Sequence, residues 1–433
     1  MNQGKKKKSQ TAIEGDSHQL SLKANMLWNS AGSMANLGCQ WLITIFVVRL
    51  ANGYDAAGVL SLAMSIYNVF APLAIYRMYT YQVTDVRREN TLGEYFAFRI
   101  ITIAIAGVCC IVYSVLTGAM SALSAVVAYV FFKAAGLLID VFHGEDQLNA
   151  RMDYIGKSLM LQGFCSLAAF CAVFYCSGNL TLAILGMFLT TVAIGLFFDF
   201  PRTKKFVEVR VGITRKKALH LLTYCFPIVL ASIACSAAPS IPKQMLAFLQ
   251  NESALGIFTS VAAPVAIVQM GASYIYNPLL DRFAKYYDQV DKKGLMVLFS
   301  KVSIGIACVG GVALVGFALL GSPVLQLLFG DSILEYTYLL LPAIGAAIVT
   351  AYVWFVNDLL VAIRCFRGSV IGNVAALACT LISSYPMIME FGMNGINICG
   401  ILSYACGLIF MLIALAIAIS GMSGIQNSSN EKR

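Results

Sequence analysis

The sequence predicts an all-α polytopic membrane protein of about twelve transmembrane helices, arranged as two pseudo-symmetric six-helix bundles. Three observations predict it. Twelve apolar stretches divide the 433-residue chain, which is 59% hydrophobic and only 12% charged. All of its 30 Lys and Arg residues except Arg49, Lys133 and Lys243 fall in alternate gaps or at the two ends. The longest and most basic gap, 200–218, leaves six stretches on either side.

In chain order, residues 1–24 form a polar basic arm with Lys5 to Lys8 and Lys23. No small-residue cleavage site follows the first apolar stretch, which is expected to stay as a signal anchor. The first bundle, 25–199, holds spans at 25–48, 56–76, 97–116, 120–140, 157–177 and 180–199. Each is close to the about 20 residues that a bilayer core requires. The linker 200–218 carries Arg202, Lys204, Lys205, Arg210, Arg215, Lys216 and Lys217. The second bundle, 219–420, holds spans at 219–242, 255–278, 297–320, 337–360, 369–390 and 395–420, and a tail of 421–433 ends in Lys432 and Arg433.

The remaining basic gaps fall on the same side. They hold Arg77, Arg87, Arg88 and Arg99, then Arg151 and Lys157, then Arg282 to Lys301, then Arg364 and Arg367. Short cytoplasmic loops retain Lys and Arg. The expected placement is therefore multi-pass in the cell membrane, with both termini cytoplasmic. The formal net charge of +9 belongs to one membrane surface, where anionic lipids attract it. Membrane lipids are the implied partner, and nucleic acid is not. Too little chain lies outside the spans for a separate soluble domain.

The thirteen cysteines show no CxxC pair and no Cys/His metal spacing, and most lie within apolar stretches. They read as small buried hydrophobes, so no metal and no cofactor is expected. His18, His143 and His220 read as separate, solvated residues of the basic side.

The two halves echo one another weakly. Asp146-Gln147-Leu148-Asn149-Ala150 parallels Asp358-Leu359-Leu360-Val361-Ala362, and the Val69–Ile75 run around Pro72 parallels the Val261–Ile267 run around Pro264. Aligning the prolines displaces Gly58 from Gly256, a competing pair. Six spans per half give a parallel repeat, with its axis along the membrane normal. Repeat-built transporters hold substrate between their halves.

Polar residues in the first span recur at helical spacing: Asn25, Asn29, Ser33, Asn36, Gln40 and Thr44. They share one face, which belongs against protein or water rather than lipid. Ordinary helix–helix hydrogen bonding is the alternative. In the seventh span Ser232, Ser236, Ser240 and Lys243 repeat the device, with Pro227, Pro239 and Pro242 interrupting the helix. Interior proline kinks a helix, so Pro239 and Pro242 are candidate gate residues.

Lys133 stands inside the fourth span, in Phe131-Phe132-Lys133-Ala134-Ala135. A central lysine costs roughly 2.5–3.5 kcal/mol on insertion scales, so it normally faces a cavity or a partner. The alternative is a stem that snorkels to the headgroups. Arg49 and Arg77 sit at span ends, either as cavity residues or as interfacial anchors. No acid stands in mid-span: Asp140, Asp199, Asp281, Asp358 and Glu390 all fall near expected ends. The intramembrane charge is thus basic, which suits an anionic cargo.

At these residues the chain resembles the Wzx-type flippases of lipid-linked oligosaccharides, in the multidrug/oligosaccharidyl-lipid/polysaccharide exporter superfamily. It is most similar to the branch found in Gram-positive exopolysaccharide clusters. The resemblance rests first on Arg77-Met78-Tyr79-Thr80-Tyr81-Gln82-Val83-Thr84-Asp85, with Gly93 to Ile100 after it. Ser240-Ile241-Pro242-Lys243, Gly256-Ile257-Phe258 and Pro264 add to it, and Leu328-Phe329-Gly330 more weakly. The family often has tyrosine where this chain has Gln244. The likeness covers about residues 20–420.

The resemblance implies a fold of two six-helix bundles in a V, alternating between inward- and outward-open forms. By the same resemblance the cargo would be an undecaprenyl-diphosphate-linked oligosaccharide, with coupling to a proton or sodium gradient and contact with other polysaccharide-assembly proteins. Lys133 and Lys243 would pair with diphosphate or acidic sugar, with Arg49 and Arg77 as further basic contacts. Asn36 and Gln40 would hydrogen-bond sugar hydroxyls, with Asn29 and Ser236 as further substrate-binding candidates. A drug/cation antiporter of the same superfamily is the rival reading, and it calls for a buried acid. A membrane-embedded polymerase or transferase would need catalytic groups outside, where the longest gap holds only Asp331 and Glu335.

Overall fold

The computed structural model describes residues 20–51, 53–85 and 88–430, apart from the side chains of 227 and 422–430. Lys5 to Lys8, His18, Arg87, Lys432 and Arg433 lie outside the described residues. All regular structure among the described residues is helical.

The first pass is α1 (Leu22–Ala51). The second is α2 (Asp55–Ile75) with the short α3 (Met78–Thr84), separated where Tyr76 and Arg77 take left-handed φ of 46° and 54°. Non-glycine residues rarely adopt such angles, so two in succession end the helix. Next come α4 (Leu92–Leu116), opened by a Thr91/Glu94 capping box, α5 (Leu123–Leu148) and α6 (Met152–Ser177). The sixth pass is α7 (Leu180–Ile194), a π-helical turn over Gly195–Asp199, and α8 (Phe200–Thr203).

The second half begins with α9 (Arg215–Ala237), bent by 54° between Phe226 and Ile228. Residues 238–240 turn, and α10 (Ile241–Leu249) comes next with Pro242 in its first turn. The eighth pass is α11 (Glu252–Ala262), α12 (Ala266–Tyr276) and α13 (Leu280–Asp288), joined by tight turns at Pro264 and Pro278. Then come α14 (Lys292–Phe329), α15 (Leu340–Ala362), α16 (Phe366–Phe391) and α17 (Gly395–Asn430).

Among the described residues, ten segments are long and apolar enough to cross a membrane, and bent α9 makes an eleventh. The last of the ten, Phe366–Gly421, contains both α16 and α17. These run antiparallel: the chain reverses at Gly392, and a Cβ on Gly407 would lie 2.8 Å from the Gly372 carbonyl oxygen. All twelve expected passes are therefore helical. Phe197 and Ile382, 82% and 78% exposed, belong to an outer surface suited to hydrocarbon.

The ends of the bundle differ. At the neutral end, which lacks the basic loops, one apolar core takes side chains from α1, α2, α4 and α5 and also from α10, α11, α14 and α15. At the basic end two separate cores form. One lies wholly within the second half, between Ala272 and Ile419. The other joins α3, α4 and α5 to the first turns of α9. There Tyr76 donates to the Leu222 carbonyl at 2.8 Å, and Lys217 pairs with Glu94 at 2.9 Å. Helix α9 thus packs with the first bundle along its early turns and, through Val229 and Ile233, just past the bend. The lobes share one core at the neutral end and have separate cores at the basic end.

Several expectations change here. Helix α5 runs to Leu148, past the expected end at 140, so Asp140, His143, Glu145 and Asp146 are helical and not in a loop. His143 is 2% exposed rather than solvated; His220 is exposed. Among the cysteines, Cys165, Cys176, Cys235 and Cys308 are exposed, not buried.

Candidate functional site

Two cavities flank the plane between the lobes. The first, about 320 Å³, is lined by the first bundle alone. Asn36 and Gln40 of α1 line it with Lys133, Asp140 and His143 of α5 and Gln162 of α6. Helix α1 can lie this close to α6 because glycines remove side chains from the crossing. A Cβ on Gly32 would come within 2.5 Å of Gly156, and one on Gly163 within 2.9 Å of the Asn36 backbone.

Lys133 does not snorkel. Its Nζ donates to Gln40 Oε1 at 3.3 Å and stands 5.3 Å and 5.2 Å from the Tyr129 and Phe132 ring centres. Gln40 in turn donates to Asn36 Oδ1 at 3.4 Å. No carboxylate lies within ion-pair distance of Lys133 among the described residues. Its charge is held by an amide and two rings, which leaves it available to an anion.

The second cavity, about 600 Å³, is built mainly by the second lobe. Ser236, Pro239, Pro242 and Lys243 line it, with Gln269, Thr350, Asn397 and Tyr404. Lys243 has no hydrogen-bond or ion-pair partner among the described residues. The prolines lie where α9 gives way to α10, and this break turns Lys243 toward the cavity. The α9 serines are less uniform: Ser232 is half-buried, lines neither cavity and donates to the Ile228 carbonyl at 2.9 Å.

Asn68 of α2 connects the two. It lines both cavities, together with Ala71, and it is exposed amid buried neighbours. A third space of about 280 Å³, between α1, α2, α10 and α11, also touches Asn68 and Lys243. The volumes suit ligand-sized groups, with an ammonium in each lobe and an amide between them.

The structure gathers Asn36, Gln40 and Lys133 in one cavity and Ser236, Pro239, Pro242 and Lys243 in the other. It places three expected residues elsewhere. Arg49 is at the neutral end, where its guanidinium donates to the carbonyls of Gln326 (3.2 Å), Leu327 and Leu328 (2.8 Å). Those carbonyls lie in the last turn of α14, where the Gln326 oxygen also accepts from Gly330 N–H at 2.8 Å; Arg49 caps that helix from the other lobe. Arg77 is exposed at the α2–α3 break, and Asn29 lines neither cavity. Asn25, from the same stripe, is structural: it donates to the Leu20 and Ala150 carbonyls at 3.1 Å and 3.0 Å and accepts from Met152 N–H at 2.8 Å.

Sequence reasoning missed Asp140, His143 and Gln162 in the first cavity. Asp140, expected near a span end, lines this cavity two turns from Lys133 on the same face of α5. It missed Asn68 as well, an isolated amide in an apolar span, which was the available signal.

The motif around residue 80 has a structural explanation. Gln82 donates to the Val141 carbonyl at 2.8 Å and lies where a Cβ on Gly144 would stand. Tyr79 donates to Gln147 at 2.6 Å. Asp85 accepts from the backbone N–H of Glu89 and Asn90 and from the Tyr95 hydroxyl at 2.7 Å. Arg99, 1% exposed, donates to the Ala74 and Ile75 carbonyls freed by the break. These contacts dock α3 against α5.

No family model matches the chain. It is 23% identical over 363 residues to the capsular polysaccharide biosynthesis protein CapF of Staphylococcus aureus, covering 82% of this chain and 90% of that one. Among solved structures it resembles the lipid II flippase MurJ in an inward closed conformation. The TM-score is 0.69 at 9% identity, over 92% of this chain and 90% of that one. An inward-facing MATE-family multidrug resistance transporter of the MOP superfamily gives 0.67 at 14% identity, over 94% and 99%. The Vibrio cholerae MATE transporter VcmN in its bent form gives 0.55 at 12% identity, over 93% and 97%. At these identities the solved structures establish the fold.

Proposed function

We propose that this chain, which has the fold of the multidrug/oligosaccharidyl-lipid/polysaccharide exporter superfamily, is a flippase of cell-surface polysaccharide biosynthesis. It would move an undecaprenyl-diphosphate-linked oligosaccharide across the cell membrane by alternating access, without catalysing a chemical step. The observation that carries this reading is Lys133, an ammonium inside the membrane that holds an amide and no acid. With Lys243 in the facing cavity, it offers the diphosphate two cationic contacts. Asn36, Gln40, Asn68 and Asn397 supply amides suited to sugar hydroxyls. The prenyl chain would stay in hydrocarbon while the polar head passes between the lobes.

The rule that cytoplasmic loops keep Lys and Arg puts the basic end, and both termini, in the cytoplasm. The separate cores at that end suit a form that would open inward to load cargo from the synthetic side. The match to a capsular polysaccharide biosynthesis protein supports the setting. Other polysaccharide-assembly proteins are the natural neighbours of such a flippase.

One observation favours a second reading. Asp140 puts a carboxylate in the first cavity, as a drug/cation antiporter requires. The test is a fluorescent undecaprenyl-diphosphate oligosaccharide in both leaflets of reconstituted vesicles, followed by its accessibility to a membrane-impermeant quencher. Protein-dependent redistribution supports flipping. No redistribution of a matched cargo, alongside efflux of organic cations, favours the antiporter.

A further inference from the structure

Behind the first cavity, three acids and a histidine lie closer together than the transport of an anion requires. Asp140 faces the cavity with its side chain 40% exposed, while the side chains of His143 and Asp199 are 3% and 1% exposed. His143 Nδ1 stands 3.9 Å from Asp140 Oδ1, and its Nε2 stands 3.5 Å from Asp199 Oδ1. The imidazole bridges an exposed carboxylate and a buried one. Asp199 ends the π-helical turn Gly195–Asp199, a distortion that recurs at functional sites. Its other oxygen accepts from Ser158 at 2.9 Å, and Gln162 donates to that hydroxyl at 3.0 Å. Gln162 lines the first cavity, so the chain of polar groups leaves the cavity at Asp140 and returns to it at Gln162.

The surrounding charges do not balance the acids. Asp146 of α5 is buried, with Oδ1 unpaired, as are His143 Nε2 and Asp199 Oδ1. Glu145 is held by Arg88 at 2.8 Å, and Asp153 of α6 by Arg151 and Lys157. Helix α4 contributes Arg99, whose charge bears on Asp140. Helix α2 contributes the Tyr67 phenol and α3 the Tyr79 phenol, both neutral donors. Lys133 lies farther along α5 with Gln40. Three carboxylates, one guanidinium and one imidazole thus share a low-dielectric space, where unpaired charge is costly.

We propose that Asp140, His143 and Asp199 form a proton-binding relay through which the first lobe exchanges protons with the cavity. A proton on Asp140 passes to His143 Nδ1 as the Nε2 proton passes to Asp199 Oδ1. Asp140 is left ionised, Asp199 neutral, and the imidazole neutral in its other tautomer. Both gaps are longer than a hydrogen bond, so each transfer needs a small side-chain approach. The relay lies on α5 and the sixth pass, beside the Arg99 contact that holds the α2–α3 break. Its protonation is thereby placed to bias the lobe that carries Lys133. This rests on the transporter reading above and names its coupling ion as the proton.

Two measurements test it, the first independent of any cargo. In nanodiscs, the ¹⁵N signals of His143, assigned with His143→Asn, should change with protonation between about pH 5 and about pH 9. Asp199→Asn should alter that titration. A His143 signal constant across the range overturns the relay. In proteoliposomes, an imposed proton gradient should stimulate cargo movement by wild type at least about fivefold. Asp199→Asn should keep gradient-free movement within about twofold and lose the stimulation. Ser158→Ala stands in if that variant does not fold. Full stimulation in the variant, or stimulation of wild type by sodium alone, overturns the proposal. If wild type moves no lipid-linked cargo, the flippase reading fails, while the histidine titration still decides the relay.

Discussion

Ser61 and Thr259 hydrogen-bond to each other at 2.8 Å across the lobes, and the sequence offset between them also relates Gly58 to Gly256. The glycine contacts are reciprocal. A Cβ on Gly58 would fall 1.7 Å from the Glu252 carbonyl oxygen, and one on Gly256 would fall 2.1 Å from that of Tyr54. Glu252 precedes Gly256 by one helical turn, as Tyr54 precedes Gly58. Each residue thus meets the equivalent of its own partner, the signature of a two-fold axis between α2 and α11.

That contact closes the neutral end without side chains between the backbones. Any side chain at either glycine must push the lobes apart, because the obstacle is backbone. Gly58→Ala is expected to insert and fold but to favour the form separated at the neutral end. Transport should fall roughly tenfold, a shift of about 1.4 kcal/mol. The vesicle assay reads the loss, and inter-lobe spin-label distances read the shift. Full transport by Gly58→Ala would show that this contact is not formed in the cycle.

The sequence displayed the passes well because composition and the basic loops report directly on the bilayer. It displayed the repeat less well. The proline alignment and the glycine alignment competed, and composition alone could not rank them; the reciprocal backbone contacts select the glycine register. The site was half legible. Lys133, Gln40 and Asn36 were readable because a polar group in hydrocarbon demands a reason. Asp140 and His143 were not, since α5 stays helical beyond its apolar stretch and carries charge into the protein interior. Arg49 failed for the opposite reason: a charge near a span end looks the same whether it caps a helix or faces a cavity.

Arg49 should therefore affect conformation more than binding. Its guanidinium joins α1 of one lobe to the last carbonyls of α14 in the other. Arg49→Gln keeps a donor but loses the fork. The expected result is a shift toward the form separated at the neutral end by about 1 kcal/mol, roughly fivefold. Cargo affinity measured in detergent should be unchanged. A loss of affinity with unaltered spin-label distances would return Arg49 to the binding site.

Asp85 should give the fold an acid limit. Burial works against its charge, but the backbone N–H of Glu89, the Tyr95 hydroxyl and the Asn90 N–H outweigh that and hold its pKa below the ordinary carboxylate range. A carboxyl depressed in the folded state stabilises above its unfolded value, and loses that contribution as pH falls through the folded one. Asp85→Asn should melt at a lower temperature than wild type at neutral pH, by an amount equivalent to about 1 kcal/mol. The difference should shrink toward about pH 3. Melting of the detergent-solubilised protein against pH checks this, and a constant difference would remove the carboxylate from the account.

Lys133 should separate charge from shape. Lys133→Met keeps the stem against Tyr129 and Phe132 and removes the ammonium. The variant should insert and melt normally or slightly higher, because a cavity charge held by one amide stabilises little. Its transport should fall by about tenfold or more, the loss of one charge-assisted contact of roughly 1.5–3 kcal/mol. Lys133→Arg restores charge, but its larger, forked head crowds the Asn36–Gln40 pair and should recover only part of the activity. The decisive comparison uses cargo without diphosphate: if Lys133 binds that group, wild type and Lys133→Met should bind the neutral analogue alike. An equal loss on both cargoes would mean that Lys133 organises the α1–α5 contact and does not touch phosphate.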